Sequence, residues 1–435
     1  MLVGYGGFPK DLFADAGLEA PDGRIMTTTH YLCLAFWIAA VSTDLLAGTW
    51  RELADQSPAA SDVVSEADTD LAKDPEQLYW RRLDEIRSLQ SFPSDAARGR
   101  VKKSHKIEGF DPTFHYTIVV PETYDPTQKT DLHIYLHGGV GISSNRISNR
   151  KINRLKRLRV EDSISVYPSA WSAAKWWYES QTKNIVRIIN AVKDDYNVDE
   201  NRVFLHGLSD GAGGVYYFAS HLPTPFAGFV ALVGSPHVLR PKHNVFGTTF
   251  AGNLVNKPIF AINTEDDHLF PAKSVEKLFE AVNSSGGDIT FYAMPGDHFG
   301  MPWLSKRKNE YESFVADNSR NPYPDTLFWQ IDEQSEFHRI HWLVVHDSQG
   351  GDTESAVVAE KNGNAVYLSS KNVAAVTLLI SPDHFDLDEN IQVWSNRELV
   401  FDARVMPDVR VLEKWFELDR DKSMLFASEI LVETL

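Results

Sequence analysis

The chain has 435 residues, a hydrophobic fraction of 43% and a net charge of −17. That length suits two or three domains, and that apolar content can fill at least one large core, which excludes disorder of the whole chain. The acidic balance excludes general nucleic-acid binding, which needs a cationic surface, and disfavours docking on anionic lipid; the single cysteine, Cys33, excludes an intrachain disulfide framework and a cysteine-based metal site.

Residues 1–48 contain an apolar run, YLCLAFWIAAV at 31–41, too short to span a bilayer as a helix, which takes about 20 residues. Two readings stand. A chain begun at Met26 would open on an export signal, placing the protein outside the cytoplasm, although no basic residue precedes the apolar run. Otherwise the run is a buried helix of a cytoplasmic protein. No stable membrane insertion is expected. Residues 49–105 are read as a polar, acidic linker followed by an amphipathic helix over 75–92, with Leu78, Leu83, Ile86 and Leu89 on one stripe, Pro75 in its first turn, and the next domain as its packing partner.

From 106 to 321 short apolar runs alternate with helical stretches. The strands are 115–120, 131–136, 163–167, 202–206, 228–233, 258–262 and 289–293, with helices including 182–195 and 271–284. The pattern predicts an α/β domain with a mostly parallel sheet covered on both faces. From 322 to 435 the helices fade and strand-like runs follow one another, with Asn362-Gly363 as a hairpin turn, which predicts a C-terminal β-rich domain of sandwich type.

Four segments carry chemistry. In RVFLHGLSDGAGG (202–214) a strand meets a helix through Gly207-Leu208-Ser209-Asp210-Gly211, a turn that leaves the Ser209 hydroxyl exposed as a nucleophile. In HIYLHGGVG (133–141) a strand ends in a glycine turn whose backbone N–H groups suit an oxyanion: Gly139 and Val140 are candidates, with the amide of Asp210 as the second donor. PIFAINTEDDHLFPA (258–272) ends a strand in an acidic cluster, from which Asp266 or Asp267, and less readily Glu265, can orient a base. ITFYAMPGDHF (289–299) ends another strand and supplies His298, the imidazole that completes the order serine, acid, histidine.

These segments, over residues 106–318, resemble the α/β-hydrolase superfamily. The likeness is to its branch of bacterial secreted esterases, polyhydroxyalkanoate depolymerase-like enzymes and prolyl-oligopeptidase-like peptidases. In that branch the acid stands four positions before a proline, which points to Asp267 ahead of Pro271. The resemblance implies a serine hydrolase in which Ser209 attacks a carbonyl, His298 moves the proton and Asp267 orients His298. Asp210 departs from it, since relatives commonly carry a neutral residue after the nucleophile.

Two further segments bear on the substrate. Trp171, Trp176 and Trp177, in YPSAWSAAKWWYES (167–180), suit an aromatic platform beside the site; packing beneath a loop is the competing reading. Residues 146–159, RISNRKINRLKRLR, form a cationic amphipathic helix, read as a solvated face paired with nearby carboxylates, with attraction of an anionic partner as the alternative. The expected activity is cleavage of a carboxylic ester, on a small molecule or an acylated polymer. Peptide hydrolysis and a non-catalytic binding role are the rivals. The β-rich domain is expected to bind substrate or shape the site entrance, and no metal or cofactor is expected.

Overall fold

The computed structural model describes residues 74–88, 92–236, 250–300, 302–331, 337–348 and 355–434. The apolar run at 31–41 and the acidic stretch before residue 74 lie outside them. In chain order the first unit contains α1 (Pro75–Ser88), β1 (Gly99–Lys106), β2 (Thr113–Val120), β3 (Thr130–Leu136), α2 (Asn149–Leu155), β4 (Ile164–Pro168), α3 (Glu179–Asp195), β5 (Val198–Leu208), α4 (Asp210–His221), β6 (Gly228–Leu232), β7 (Ile259–Thr264), α5 (Lys273–Ser284), β8 (Ile289–Met294), α6 (Pro302–Lys306) and α7 (Lys308–Asp317). No helix among the described residues is long and apolar enough to cross a membrane.

Strands β1–β8 form one sheet in the order β1-β2-β4-β3-β5-β6-β7-β8. The run from β4 to β8 is parallel, while β2 lies antiparallel to both β1 and β4. This is the α/β-hydrolase fold. Because the strand side-chain period is two, each central strand feeds two cores. Leu205, Phe229 and Ala261 pack with α3, α4 and α5 on one face. Phe204, Val230 and Phe260 pack with α2 and α7 on the other. All of the parallel strands therefore end at the same edge, and the loops leaving that edge hold the candidate residues.

The sheet begins earlier than the alternating pattern placed it. β1 lies in the segment assigned to the linker and helix, yet it pairs along its whole length with β2. Its sequence, GRVKKSHK, alternates half-buried and exposed positions with almost no apolar residue. Such a lysine-bearing edge strand carries no hydrophobic signal and protects the sheet from pairing with other chains.

The C-terminal unit consists of β9 (Thr326–Ile331), β10 (Arg339–Ile340), β11 (Leu343–Ser348), β12 (Ser355–Asn362), β13 (Ala365–Lys371), β14 (Val373–Ile380), β15 (Ile391–Ser395), β16 (Glu398–Ala403), α8 (Val409–Asp419) and β17 (Ser428–Glu433). Its two sheets, β10-β11-β14-β17 and β16-β15-β13-β12-β9, share one core that includes Trp329, Trp342, Val376 and Val393. The hairpin at Asn362-Gly363 forms between β12 and β13, with Gly363 at φ 59°.

Two expectations are corrected here. Helices do not stop at residue 322, because α8 interrupts the strands; Asp408 caps it by accepting from the Arg410 amide at 2.8 Å. α1 packs on this C-terminal unit rather than on the domain that follows it. Its buried residues Tyr79, Leu83 and Ile86 meet Leu412, Leu425 and Ala427. Tyr79 takes the stripe position expected for Leu78, and Leu89 lies outside the described residues. Each such side chain contributes roughly 1.5–3 kcal/mol when buried, so α1 fastens the chain to its C-terminal unit.

The two units join near the N-terminal ends of the parallel strands. Arg320 is buried there and donates to Asn201 Oδ1, Asp421 Oδ2 and Ser423 Oγ. Asn253 and Asn256 bond both the N–H and C=O groups along β9, covering that edge strand as a neighbouring strand would.

Candidate active site

β5 reaches α4 through Ser209, whose backbone sits at φ 58°, ψ −120°. A side chain in that region costs about 1–3 kcal/mol, so the surroundings must enforce it. They do so by close approach. A Cβ on Gly207 would lie 2.1 Å from the Gly211 carbonyl oxygen, and one on Gly211 would lie 2.1 Å from that of Leu136. The Ser209 amide donates to the Leu232 carbonyl at 2.9 Å, which ties the turn to β6. The sequence G-L-S-D-G thus permits a crossing that larger residues would block, and it presents the hydroxyl above the sheet.

Ser209 Oγ lies 2.8 Å from His298 Nε2, and His298 Nδ1 lies 2.7 Å from Asp267 Oδ2. Asp267 follows β7 and His298 follows β8, so three strand ends converge on one line of hydrogen bonds. The second Asp267 oxygen accepts from the amides of Leu269 and Phe270 at 2.8 and 2.9 Å, which leaves Oδ2 to the imidazole. Asp267 is buried, whereas Glu265 and Asp266 are exposed, and only Asp267 reaches His298. A carboxylate held this way keeps the proton on Nδ1 and leaves Nε2 free to accept from the serine hydroxyl.

The glycine turn after β3 is fixed peptide by peptide. Trp176 Nε1 donates to the His137 carbonyl at 2.8 Å. The His137 ring accepts from the Ala170 amide at Nε2 and lies 2.9 Å from the Gly138 carbonyl at Nδ1. Burial, and next Lys151, lower the His137 pKa to about 3, so the ring is neutral near pH 7. With Nε2 accepting, Nδ1 carries the proton and donates to Gly138. The Gly139 carbonyl accepts from Lys151 Nζ at 2.8 Å, and the Val140 amide donates to Asp210 Oδ2 at 2.9 Å. Lys151 and Asp210 therefore hold opposite ends of one peptide plane.

This arrangement separates the oxyanion candidates. The Val140 amide is engaged by Asp210 and is not available, which corrects that assignment. The Gly139 amide and the Asp210 amide remain. The former belongs to a peptide whose carbonyl is pinned by His137, and the latter stands at the first turn of α4, where amides lack helical partners. The unusual carboxylate of Asp210 points at Val140 rather than at the space beside Ser209. His137, Lys151 and Trp176 had no assigned part in this turn on sequence grounds. The run H-G-G was their only signal, and it does not name their partners.

The three tryptophans do not form a platform. Trp171 packs on Phe114, Trp176 is fully buried and Trp177 is nearly so. None of them lines the cleft that holds Ser209 and His298. That cleft, about 700 Å³, is bounded by the His137–Gly139 turn, by Arg150, Lys151 and Arg154 of α2, and by Leu269, Phe270 and Phe299. No described residue of the C-terminal unit lines it. The basic helix instead turns a cationic face to the cleft rather than only to solvent.

No protein-family model matches the chain. Over 172 residues it is 30% identical to the bifunctional acetylxylan esterase/xylanase of Neocallimastix patriciarum, a match that spans 39% of this chain and 22% of that protein's length. Similar solved structures include a thermostable esterase, 20% identical with TM-score 0.41, covering 51% of this chain and 63% of that one. A ferulic acid esterase is 17% identical with TM-score 0.39, covering 50% of this chain and 97% of that one.

Proposed function

We propose that this chain is a serine hydrolase of carboxylic esters, with Ser209 as nucleophile, His298 as general base and acid, and Asp267 as the carboxylate that orients His298. The observation that carries the reading is the unbroken hydrogen-bond line from Ser209 Oγ through His298 to Asp267, opening on a cleft at the sheet edge. The bifunctional acetylxylan esterase/xylanase, similar over 172 residues, supports the ester class.

Ser209 Oγ attacks the ester carbonyl as its proton passes to His298 Nε2. The carbonyl oxygen becomes an oxyanion, received by the amides of Gly139 and Asp210. The imidazolium formed is stabilised by Asp267 and returns its proton to the departing alkoxide, leaving an acyl-enzyme. Water, deprotonated by the same imidazole, then attacks the acyl carbon, and collapse of the second oxyanion releases the acid and restores Ser209. Asp210 and Lys151 hold the glycine turn in place and take no proton in this sequence.

Purified protein is expected to hydrolyse p-nitrophenyl acetate and to leave peptide p-nitroanilides intact. Cleavage of the anilides at a comparable rate would reassign the chain to the peptidases. Turnover of neither substrate would leave the binding-protein reading.

A further inference from the structure

α2 divides its side chains sharply. Ile152 and Leu155 are buried against the sheet, while Arg150, Lys151 and Arg154 face the cleft that contains Ser209 and His298. The spacing of 150 and 154 puts two guanidinium groups one helical turn apart on one face. The segment NRKINRLKRL holds no acidic residue that could offset them from within. The carboxylate lining the cleft, Asp210, is bonded to the Val140 amide. A protein of net charge −17 thus presents a cationic wall at its candidate active site. Arg154 lies below its ordinary pKa, chiefly through burial and then through repulsion from Arg157 and Arg150, a cost that a bound anion would relieve.

A second wall of the cleft is apolar. Leu269 and Phe299 are 60% and 73% exposed, unusual for side chains so large, and Phe270 stands beside them. The Arg154 guanidinium donates to the Phe299 carbonyl at 3.3 Å, so the two walls meet. A ligand matched to both has an apolar or ring-shaped body and a carboxylate, for which paired guanidinium groups have the right fork geometry.

We infer that the cleft is built for an ester that also bears a carboxylate, received by Arg150 and Arg154 while Leu269 and Phe299 cover the body of the molecule. This rests on the ester-hydrolase reading for the bond that is cleaved. The carboxylate can sit on the acyl side or on the alcohol side, and matched ester pairs separate the two. Ser209→Ala protein, which binds without turnover, is titrated calorimetrically with 4-acetoxybenzoate against phenyl acetate, and with monophenyl adipate against phenyl hexanoate.

In at least one pair the anionic ester binds tenfold or more tightly, and the preference shrinks as salt is raised. Arg150→Gln/Arg154→Gln in the same background reduces the preference below twofold. Should that double variant not fold, the exposed Arg150→Gln change alone lowers it severalfold. Equal affinity within both pairs, or a preference that survives the arginine changes, overturns the inference. Wild-type turnover of phenyl acetate is read separately. Turnover without an anion preference defeats this inference alone, and an anion preference without turnover defeats the hydrolase reading alone.

Discussion

The two ends of the parallel strands use buried polar groups in opposite ways. At the C-terminal ends, Ser209, His298 and Asp267 are packed in a line whose outer member opens on a cleft, and the serine backbone is held in a strained conformation. At the N-terminal ends, near Asn201, roughly 25 Å away along β5, Arg320 is enclosed by Asn201, Asp421 and Ser423. Burial would raise the Asp421 carboxyl, but Arg320 beside it prevails and holds the group well below the usual carboxylate range. One end leaves a hydrogen-bonded hydroxyl and imidazole beside an open cleft, whereas the other encloses an ion pair. Burial alone therefore does not mark a reactive site; a buried group must also have one side turned to a space that a ligand can enter.

The comparison breaks most severely at the serine. Ser209→Ala is expected to lower kcat by about 10⁶. Alanine keeps the Cβ and with it the backbone strain at 209, so thermal unfolding should shift little. Asp267→Asn keeps the shape but no longer secures the Nδ1 proton, and about 10⁴ in kcat should be lost.

The opposite edge should respond in the opposite currency. Arg320→Ala leaves Asp421 and the Asn201 side chain without their buried partner, which should cost about 3–5 kcal/mol in urea unfolding. Its kcat/KM on p-nitrophenyl acetate should stay within twofold of wild type under folding conditions. A large loss of activity without loss of stability would erase the distinction between the two edges.

Asp210→Ala tests the fixed turn between these extremes. Freed of its carboxylate partner, the Val140 amide no longer anchors the peptide, and kcat should fall by about 10²-fold through a misplaced oxyanion donor, with KM little changed. A rise in kcat would mean instead that the carboxylate opposes the oxyanion.

Stability should also depend on pH. Burial lowers the His206 pKa to about 3, so the folded ring stays neutral while the unfolded ring titrates near 6.5. Its contribution is complete above pH 6.5 and is lost as pH falls from there toward 3, at up to about 1.4 kcal/mol per pH unit. His206→Gln should therefore flatten the fall of the unfolding free energy between pH 6.5 and 4, as measured by urea titration.

Much of this architecture could be read from sequence because its central strands are apolar on both faces. β3 and β5 to β8 were expected close to where they lie. β1 escaped because an edge strand of lysine and histidine has no apolar period. α8, VRVLEKWFELD, escaped because its valines and aromatics favour strands and only Leu412 is buried. The candidate relay was legible as strand ends followed by a serine, an acid and a histidine. The choice among Glu265, Asp266 and Asp267 needed the family pattern, because burial of one side chain in a loop leaves no local trace. Trp176 was misread for the same reason. An aromatic residue after a strand suits a platform or a core equally well, and its indole hydrogen bond to His137 depends on a segment 39 residues away.

The reactivity of the Ser209 hydroxyl can be read by covalent labelling. Folded wild-type protein treated with a fluorophosphonate and digested for mass spectrometry should carry the label on Ser209 alone. The adduct should vanish in Ser209→Ala and form far more slowly in Asp267→Asn. A folded protein that takes no label, or takes it on another residue with Ser209 unmodified, would contradict the account.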